Sequence, residues 1–290
     1  MAGRRCSLLG NAVGLSPVWL ALLLACNLLA NAALAQVDED DADVSYIYAA
    51  MMGTGTFKIN GRRVSTLNLP FSYTPREMNE ERPGLRLTLP VVLGYDAVSN
   101  HDWLGDLLDE DLVVLALLPG VEYQLPVSTV WTIKPFASLG LAQDFVSGET
   151  IVMGTVGSRV LGAWRYDSGW ELRWGGALQL AAEYQTESHY RSSFGLVETG
   201  IDVRRDTGLL LQRRKVNAGL YYRYQYFIPE WDIDVLRPRE SDIASLHEFG
   251  ASVGLKRPLE VLGFSITRVR VGYNWGSGVE GWTFGTEFPF

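Results

Sequence analysis

Apolar and polar residues alternate with a period of two through most of this chain. Leu85, Leu87, Leu89, Val91, Leu93 and Tyr95 alternate with Arg86, Thr88, Pro90, Val92, Gly94 and Asp96. Trp170, Leu172, Trp174, Gly176, Leu178, Leu180, Ala182 and Tyr184 alternate with Glu171, Arg173, Gly175, Ala177, Gln179, Ala181 and Glu183. Val216 to Tyr226 and Val269 to Trp275 repeat the pattern. Successive side chains of a strand point to opposite faces, so this period predicts strands with one apolar face and one mixed face. Weaker versions cover residues 44–52, 63–73, 112–124, 129–142, 150–165, 192–204, 245–256 and 280–290. Together they predict about 12 strands.

Several of these strands exceed ten residues, whereas strands of soluble proteins usually have five or six. A tilted strand that crosses a bilayer needs about 9–11. Aromatic residues gather at strand ends: Tyr73, Tyr95, Trp131, Trp164, Trp170, Tyr184, Tyr226 and Trp275. Membrane barrels place aromatic girdles at those positions. The fold class expected is all-β, a transmembrane antiparallel up-and-down β-barrel of about 12 strands.

The connections predict an orientation. Both termini fall on one side, and the two long connections, 97–111 and 227–243, fall on the other. The remaining turns on the side of the termini are short, at 125–128, 167–169, 205–208 and 257–263. The segment 74–84 is a long exception, flanked by Pro70 and Pro90, each of which removes a ladder donor. Gly53-Thr54-Gly55 reads as a hairpin loop, with glycine supplying the turn geometry. Short periplasmic turns and longer outer loops are the habit of outer-membrane barrels.

The two ends of the chain fit the same location. Arg4 and Arg5, the apolar stretch from Val18 onward and Ala33-Leu34-Ala35 read as a secretory leader, residues 1–35. Residues 36–43 are acidic (Asp38, Glu39, Asp40, Asp41 and Asp43) and read as a short periplasmic tail, with the barrel spanning 44–290. Both cysteines, Cys6 and Cys26, lie in the leader, so the remaining chain has no thiol or disulfide chemistry. Losing the leader removes two of the 25 basic residues and none of the 33 acids, moving the net charge from −8 to −10. That balance argues against nucleic acid as a partner. Past residue 35 no run of 18 apolar residues is present to form a spanning helix. Hydrophobic residues still make up 47% of the chain, which alternating strands accommodate.

At the C-terminus, Trp282, Phe284, Phe288 and Phe290 share one strand face, and Thr283, Gly285 and Glu287 share the other. The ending resembles the assembly signal of Gram-negative outer-membrane barrels, carried here by Thr283, Gly285, Phe288 and Phe290. That resemblance implies recognition by the barrel-assembly machinery and periplasmic chaperones, insertion into the cell outer membrane, and contact with its lipid and lipopolysaccharide.

The inward face is predicted to carry charges of both signs: Glu122, Lys134, Glu171, Arg173, Glu183, Glu198, Asp202, Arg204, Lys215, Arg223, Glu248, Arg268, Arg270 and Glu287. A midplane Arg or Lys facing lipid would cost about 2–4 kcal/mol. A balanced lumen favours a structural or weakly pore-forming barrel over a selective channel. The expected function is therefore non-enzymatic, and no cofactor or metal site is expected. Two alternatives compete with it. One is a lipid hydrolase using His189, near Ser188 and Ser192, or His247, near Ser245. The other is a surface-binding protein acting through the outer loops, with Trp103 and Trp231 as anchors.

Leu262-Gly263-Phe264 through Val271-Gly272-Tyr273, then Glu280 to Gly285 and Phe288-Pro289-Phe290, resemble the last hairpin of solitary outer-membrane autotransporter-like barrel domains. Leu67 to Tyr73 is similar to an early strand of that family. The resemblance implies a 12-strand barrel in the outer membrane. No long passenger precedes the first predicted strand, so it implies neither transport activity nor site residues.

Overall fold

The computed structural model describes Met51 and residues 53–59, 62–97, 112–145, 147–189, 191–211, 214–228, 245–261 and 264–286. The expected leader, the acidic tail and the final residues Glu287 to Phe290 lie outside this set.

The strands are β1 (Thr54–Ile59), β2 (Arg62–Arg76), β3 (Gly84–Ala97), β4 (Leu112–Leu117), β5 (Gly120–Pro126), β6 (Trp131–Asp144) and β7 (Thr150–Arg165). They continue as β8 (Trp170–Gln185), β9 (Arg191–Leu211), β10 (Arg214–Ile228), β11 (Ser245–Val261), β12 (Phe264–Gly276) and β13 (Val279–Gly285). Each pairs antiparallel with its neighbour. β1 closes on β13, from Thr54 opposite Phe284 to Ile59 opposite Val279. β4 and β5 both bridge β3 and β6, and together form one barrel strand interrupted at Leu118-Pro119. Proline cannot donate to a ladder. Its carbonyl is used instead, accepting from Leu139 N at 3.1 Å. The result is a closed 12-strand antiparallel barrel, as the alternation predicts.

Most expected strands appear close to their predicted bounds, and the departures have local causes. Thr54–Ile59 is a strand that the sequence did not predict, and the expected strand at 44–52 lies, apart from Met51, outside the described residues. Gly53 has φ 88°, so the turn conformation ends there, and Thr54 and Gly55 belong to the strand. Residues 205–208 are not a turn: β9 runs to Leu211, with the register shifting opposite Lys215 and Asn217. Gly208 (φ 75°) supplies an irregularity within the strand. Residues 257–263 are likewise mostly strand, since β11 reaches Val261 and β12 starts at Phe264. Pro70 and Pro90 do not disturb the pairing of β2 and β3, because they face each other in register. Their missing donors therefore fall at one rung.

The barrel has two distinct ends. At the loop end, residues 98–111 and 229–244 connect the strands; at the turn end lie 77–83, 127–130, 166–169, 212–213 and 262–263. The outer wall is apolar. Leu139, Leu141, Leu178, Leu180, Leu220, Phe249, Val253 and Val269 are all exposed on it. Bands of aromatics border this zone. Trp131 packs edge-on against Trp164 and Trp174 near the turn end, with centroids 5.3 and 5.7 Å away. Tyr273, Trp275 and Trp282 interlock towards the loop end. On β8, the outward residues between Trp174 and Tyr184 are Gly176, Leu178, Leu180 and Ala182. Ten steps of about 3.3 Å at a tilt near 40° give roughly 25 Å, the height of a membrane barrel's apolar band. This is the fold of an outer-membrane β-barrel.

Candidate functional site

The interior is layered from the loop end to the turn end. The first layer is apolar. Phe57, Ala116, Ile151, Met153, Phe194, Leu196, Phe227, Leu246 and Val279 are buried there in one contiguous cluster, and Met51 packs against it. Each lies on the inward face of its strand, the face that sequence reasoning filled with charge. Phe194 and Phe227, on β9 and β10, bring their rings to 5.9 Å.

The second layer is an ion cluster centred on Glu248, which is 1% exposed. Its Oε1 accepts from Arg270 Nη1, Tyr221 Oη and Thr283 Oγ1, each at 2.6 Å. Its Oε2 faces Arg223 Nη2 at 2.7 Å. Arg223 also faces Glu198 at 3.8 Å, and Gln225 Nε2 donates to Glu198 at 2.5 Å. Asn274 donates to Thr283 at 3.1 Å. Five adjacent strands thus contribute to one network. Glycine makes it fit: a Cβ on Gly272 would overlap Tyr221 Oη and Glu248 Oε1, and one on Gly250 would overlap the Tyr221 ring. Tyr221 was not among the expected site residues, although it sits on the inward parity of β10.

The third layer opens at the turn end into a cavity of about 690 Å3. Lys134, Arg173, Arg204 and Arg268 line its wall, and Arg165, Arg205 and Lys256 are exposed at its mouth. Its lining acids are Glu171 and Asp206. Arg173 bonds Glu171 at 2.6 Å, Arg204 bonds Asp202 at 2.5 Å, and Lys256 bonds Asp206 at 2.7 Å. Arg268 donates to two neutral groups, Ser252 Oγ at 2.6 Å and Asn217 Oδ1. To one side, Arg159 bonds Glu122 at 3.0 Å and covers the Phe136 ring at 4.0 Å.

The expected lumen charges therefore separate by level. Glu198, Arg223, Glu248 and Arg270 form the central cluster. Lys134, Glu171, Arg173, Asp202, Arg204 and Arg268 lie at the turn-end cavity, with Glu122 beside them. Glu183 is buried (4% exposed) near the apolar layer. Lys215 is exposed, beyond the register shift between β9 and β10. Of the expected assembly signal, Thr283 is buried in the central cluster and Gly285 ends β13, while Phe288 and Phe290 lie outside the described residues, as does the expected lumen charge Glu287.

Both described histidines lie away from the lumen. His247 is on the outer wall, stacked on Trp275 with centroids at 5.5 Å, and its Nδ1 shares a 2.7 Å hydrogen bond with Tyr222 Oη. His189 is exposed in the turn after β8 with φ 60°, and its Nδ1 hydrogen-bonds the Glu187 carbonyl at 3.0 Å. Ser188 is held by Glu149 and Gln185 instead. Among the described residues no group of three or more His, Cys, Asp or Glu could hold a metal ion.

No protein-family model matches this chain, and no curated protein sequence matches it. Among solved structures, LpxR from Salmonella typhimurium aligns over 79% of this chain and 90% of its own, at 9% identity and a TM-score of 0.39. A likeness this remote transfers no residue role. The expectation that the chain is non-enzymatic is withdrawn, because barrel character by itself does not decide function. The resemblance to autotransporter-like barrels shares the strand number and gains no family match.

Proposed function

We propose that this chain is an integral outer-membrane barrel of a Gram-negative envelope whose lumen is closed to solutes. It stands in the membrane with both termini and the short turns in the periplasm. In this reading its outer wall contacts lipid and, at the loop end, lipopolysaccharide. Its C-terminal strand is what the barrel-assembly machinery and chaperones engage.

The observation that carries the closed lumen is the apolar layer. Phe57, Phe194, Leu196, Phe227 and Leu246 are each 1–4% exposed although they point into the barrel. A water-filled channel needs a polar lining along its length, whereas this layer is packed like a protein core. Beneath it, the buried charges of the central cluster pair with one another. The account is therefore of a rigid membrane-anchored body rather than a diffusion pore.

The experiment is in two steps. Migration of an outer-membrane fraction on gels should change on boiling, as it does for barrels that resist detergent when cold. Liposomes carrying the cold-stable form should then exclude small sugars as well as empty liposomes do. Swelling in sugar at a rate that grows with protein content would overturn the closed lumen.

A further inference from the structure

The turn-end cavity holds more positive charge than its acids balance. Seven Lys and Arg side chains line it against Glu171 and Asp206. Asp202, which Arg204 holds, makes three acids and leaves four positive charges in excess. The central cluster has no such excess, since Arg223 and Arg270 face Glu198 and Glu248. Low-dielectric walls focus the field of an unbalanced cluster.

The excess is built into the wall. Arg204 and Arg268 are each 6% exposed. On β8 and β9, Glu171 is the register partner of Arg204 and Arg173 that of Asp202, so cations and acids alternate at one level. Arg268, on β12, bonds neutral groups among the described residues, Ser252 Oγ at 2.6 Å and Asn217 Oδ1. A buried cation ordinarily has a counterion, because its removal from water is costly. Gly254 lets this one lie against the sheet: a Cβ there would stand 2.6 Å from Arg268 Nη2 and 2.9 Å from Arg268 Cζ. A guanidinium carries five N–H donors, more than these bonds use. We infer that the turn-end cavity is a binding site for a compact polyanion of several linked phosphate groups, held by Arg173, Arg204, Arg268 and Lys134 on its wall.

The ligand class follows from charge, shape and space. A single phosphoryl group carries about two charges, so several are needed to match an excess of four. Arginine forks meet phosphate oxygens in pairs. At about 690 Å3 the cavity is within the range of about 300–1,000 Å3 usual for small-molecule sites. The exposed Arg165, Arg205 and Lys256 at the mouth draw an anion inward, and salt weakens their pull more than that of the buried wall. Linked phosphates come from a soluble oligophosphate, and single ones from lipid headgroups. The wall is the inner face of the barrel, and lipid meets the outer face, so the occupant is the soluble one. The site needs only the cavity, and stands whether or not the lumen above it conducts.

The test titrates inorganic tripolyphosphate into the full-length barrel, purified in neutral detergent and shown to be folded by cold-stable gel migration, with calorimetry as the readout. Saturable binding is expected, with inorganic phosphate at least tenfold weaker. Arg268→Gln removes the buried charge and should weaken tripolyphosphate at least tenfold. Arg165→Glu changes an exposed residue at the mouth, leaves the buried packing alone, and should weaken it at least fivefold; it carries the test if Arg268→Gln does not fold. Arg82→Glu makes the same reversal at an exposed residue of the turn 77–83, outside the cavity lining, and should stay within twofold. No saturable binding by the wild type, phosphate binding as tight as tripolyphosphate, or equal losses in Arg82→Glu and Arg165→Glu would overturn the inference. Native mass spectrometry separates the two phosphate sources. Anionic phospholipid that stays with the wild type through detergent exchange and is lost from Arg165→Glu would overturn the soluble one; its absence supports it. None of these readouts depends on conductance, so a conducting barrel that binds tripolyphosphate would refute the closed lumen and leave the site intact.

Discussion

Arg223 and Glu248 are direct register partners on β10 and β11, and their side chains meet at 2.7 Å inside the lumen. Both are almost wholly buried, at 5% and 1% side-chain exposure. Arg270, Tyr221 and Thr283 complete the set around the same carboxylate. A charge removed from water this far depends on its partners for its place in the fold.

Glu248→Gln should therefore be strongly destabilising, because it leaves two buried guanidinium groups without their anion. The expected loss is about 3–5 kcal/mol. Lys58→Ala breaks a 3.9 Å pair with Glu280 whose side chains are more than half exposed, and should cost about 0–1 kcal/mol. Denaturant unfolding of both variants in detergent, followed by tryptophan fluorescence, compares them directly.

Gly272→Ala should destabilise by about 1–3 kcal/mol, since the added methyl has no room beside Tyr221 and Glu248. Tyr221→Ala empties that space at its own cost. The two substitutions share a contact, so their effects should not add. A double variant that loses less than the sum of the two single losses is the expected result of the same unfolding measurement.

On the outer wall, Leu180 is 60% exposed on β8 between the two aromatic bands. Leu180→Arg should cost about 2–4 kcal/mol, as a cation facing the lipid midplane. Leu210 is 67% exposed but lies on the part of β9 that continues past Arg205, the partner of Trp170. Leu210→Arg should cost about 0–1 kcal/mol. Refolding yield into lipid vesicles distinguishes them, and equal losses would misplace the membrane.

How far the sequence revealed this molecule depended on whether the two strand faces differ. Where Leu178 and Leu180 faced lipid and Gln179 faced the lumen, period two showed both the strand and its orientation. Near the loop end the inward layer is apolar as well, so Phe194 to Val197 and Tyr226 to Ile228 read as plain apolar runs with no visible side. The closed lumen was hidden for that reason. Gly55 looked like a turn residue, but its missing side chain makes room for the Phe57 ring and the Trp282 carbonyl inside a strand. Arg205 to Gly208 has turn composition, and only cross-strand pairing extends β9 through it. For the central cluster, parity placed Arg223, Glu248 and Arg270 on one face. It could not show that Arg223, Arg270 and Tyr221 converge on Glu248 from the strands on either side of it, because register is set by pairing and not by composition.

The central claim is that side chains, rather than water, fill the loop-end half of the lumen. Single-channel recording of the purified wild-type barrel in planar bilayers tests it most directly. Alongside it, a variant combining Phe57→Gly, Phe194→Gly and Phe227→Gly removes three aromatic rings from the apolar layer. The account predicts a silent wild type from low to molar salt and stepwise conductance in the triple variant. Stable conductance steps from the folded wild type would contradict it.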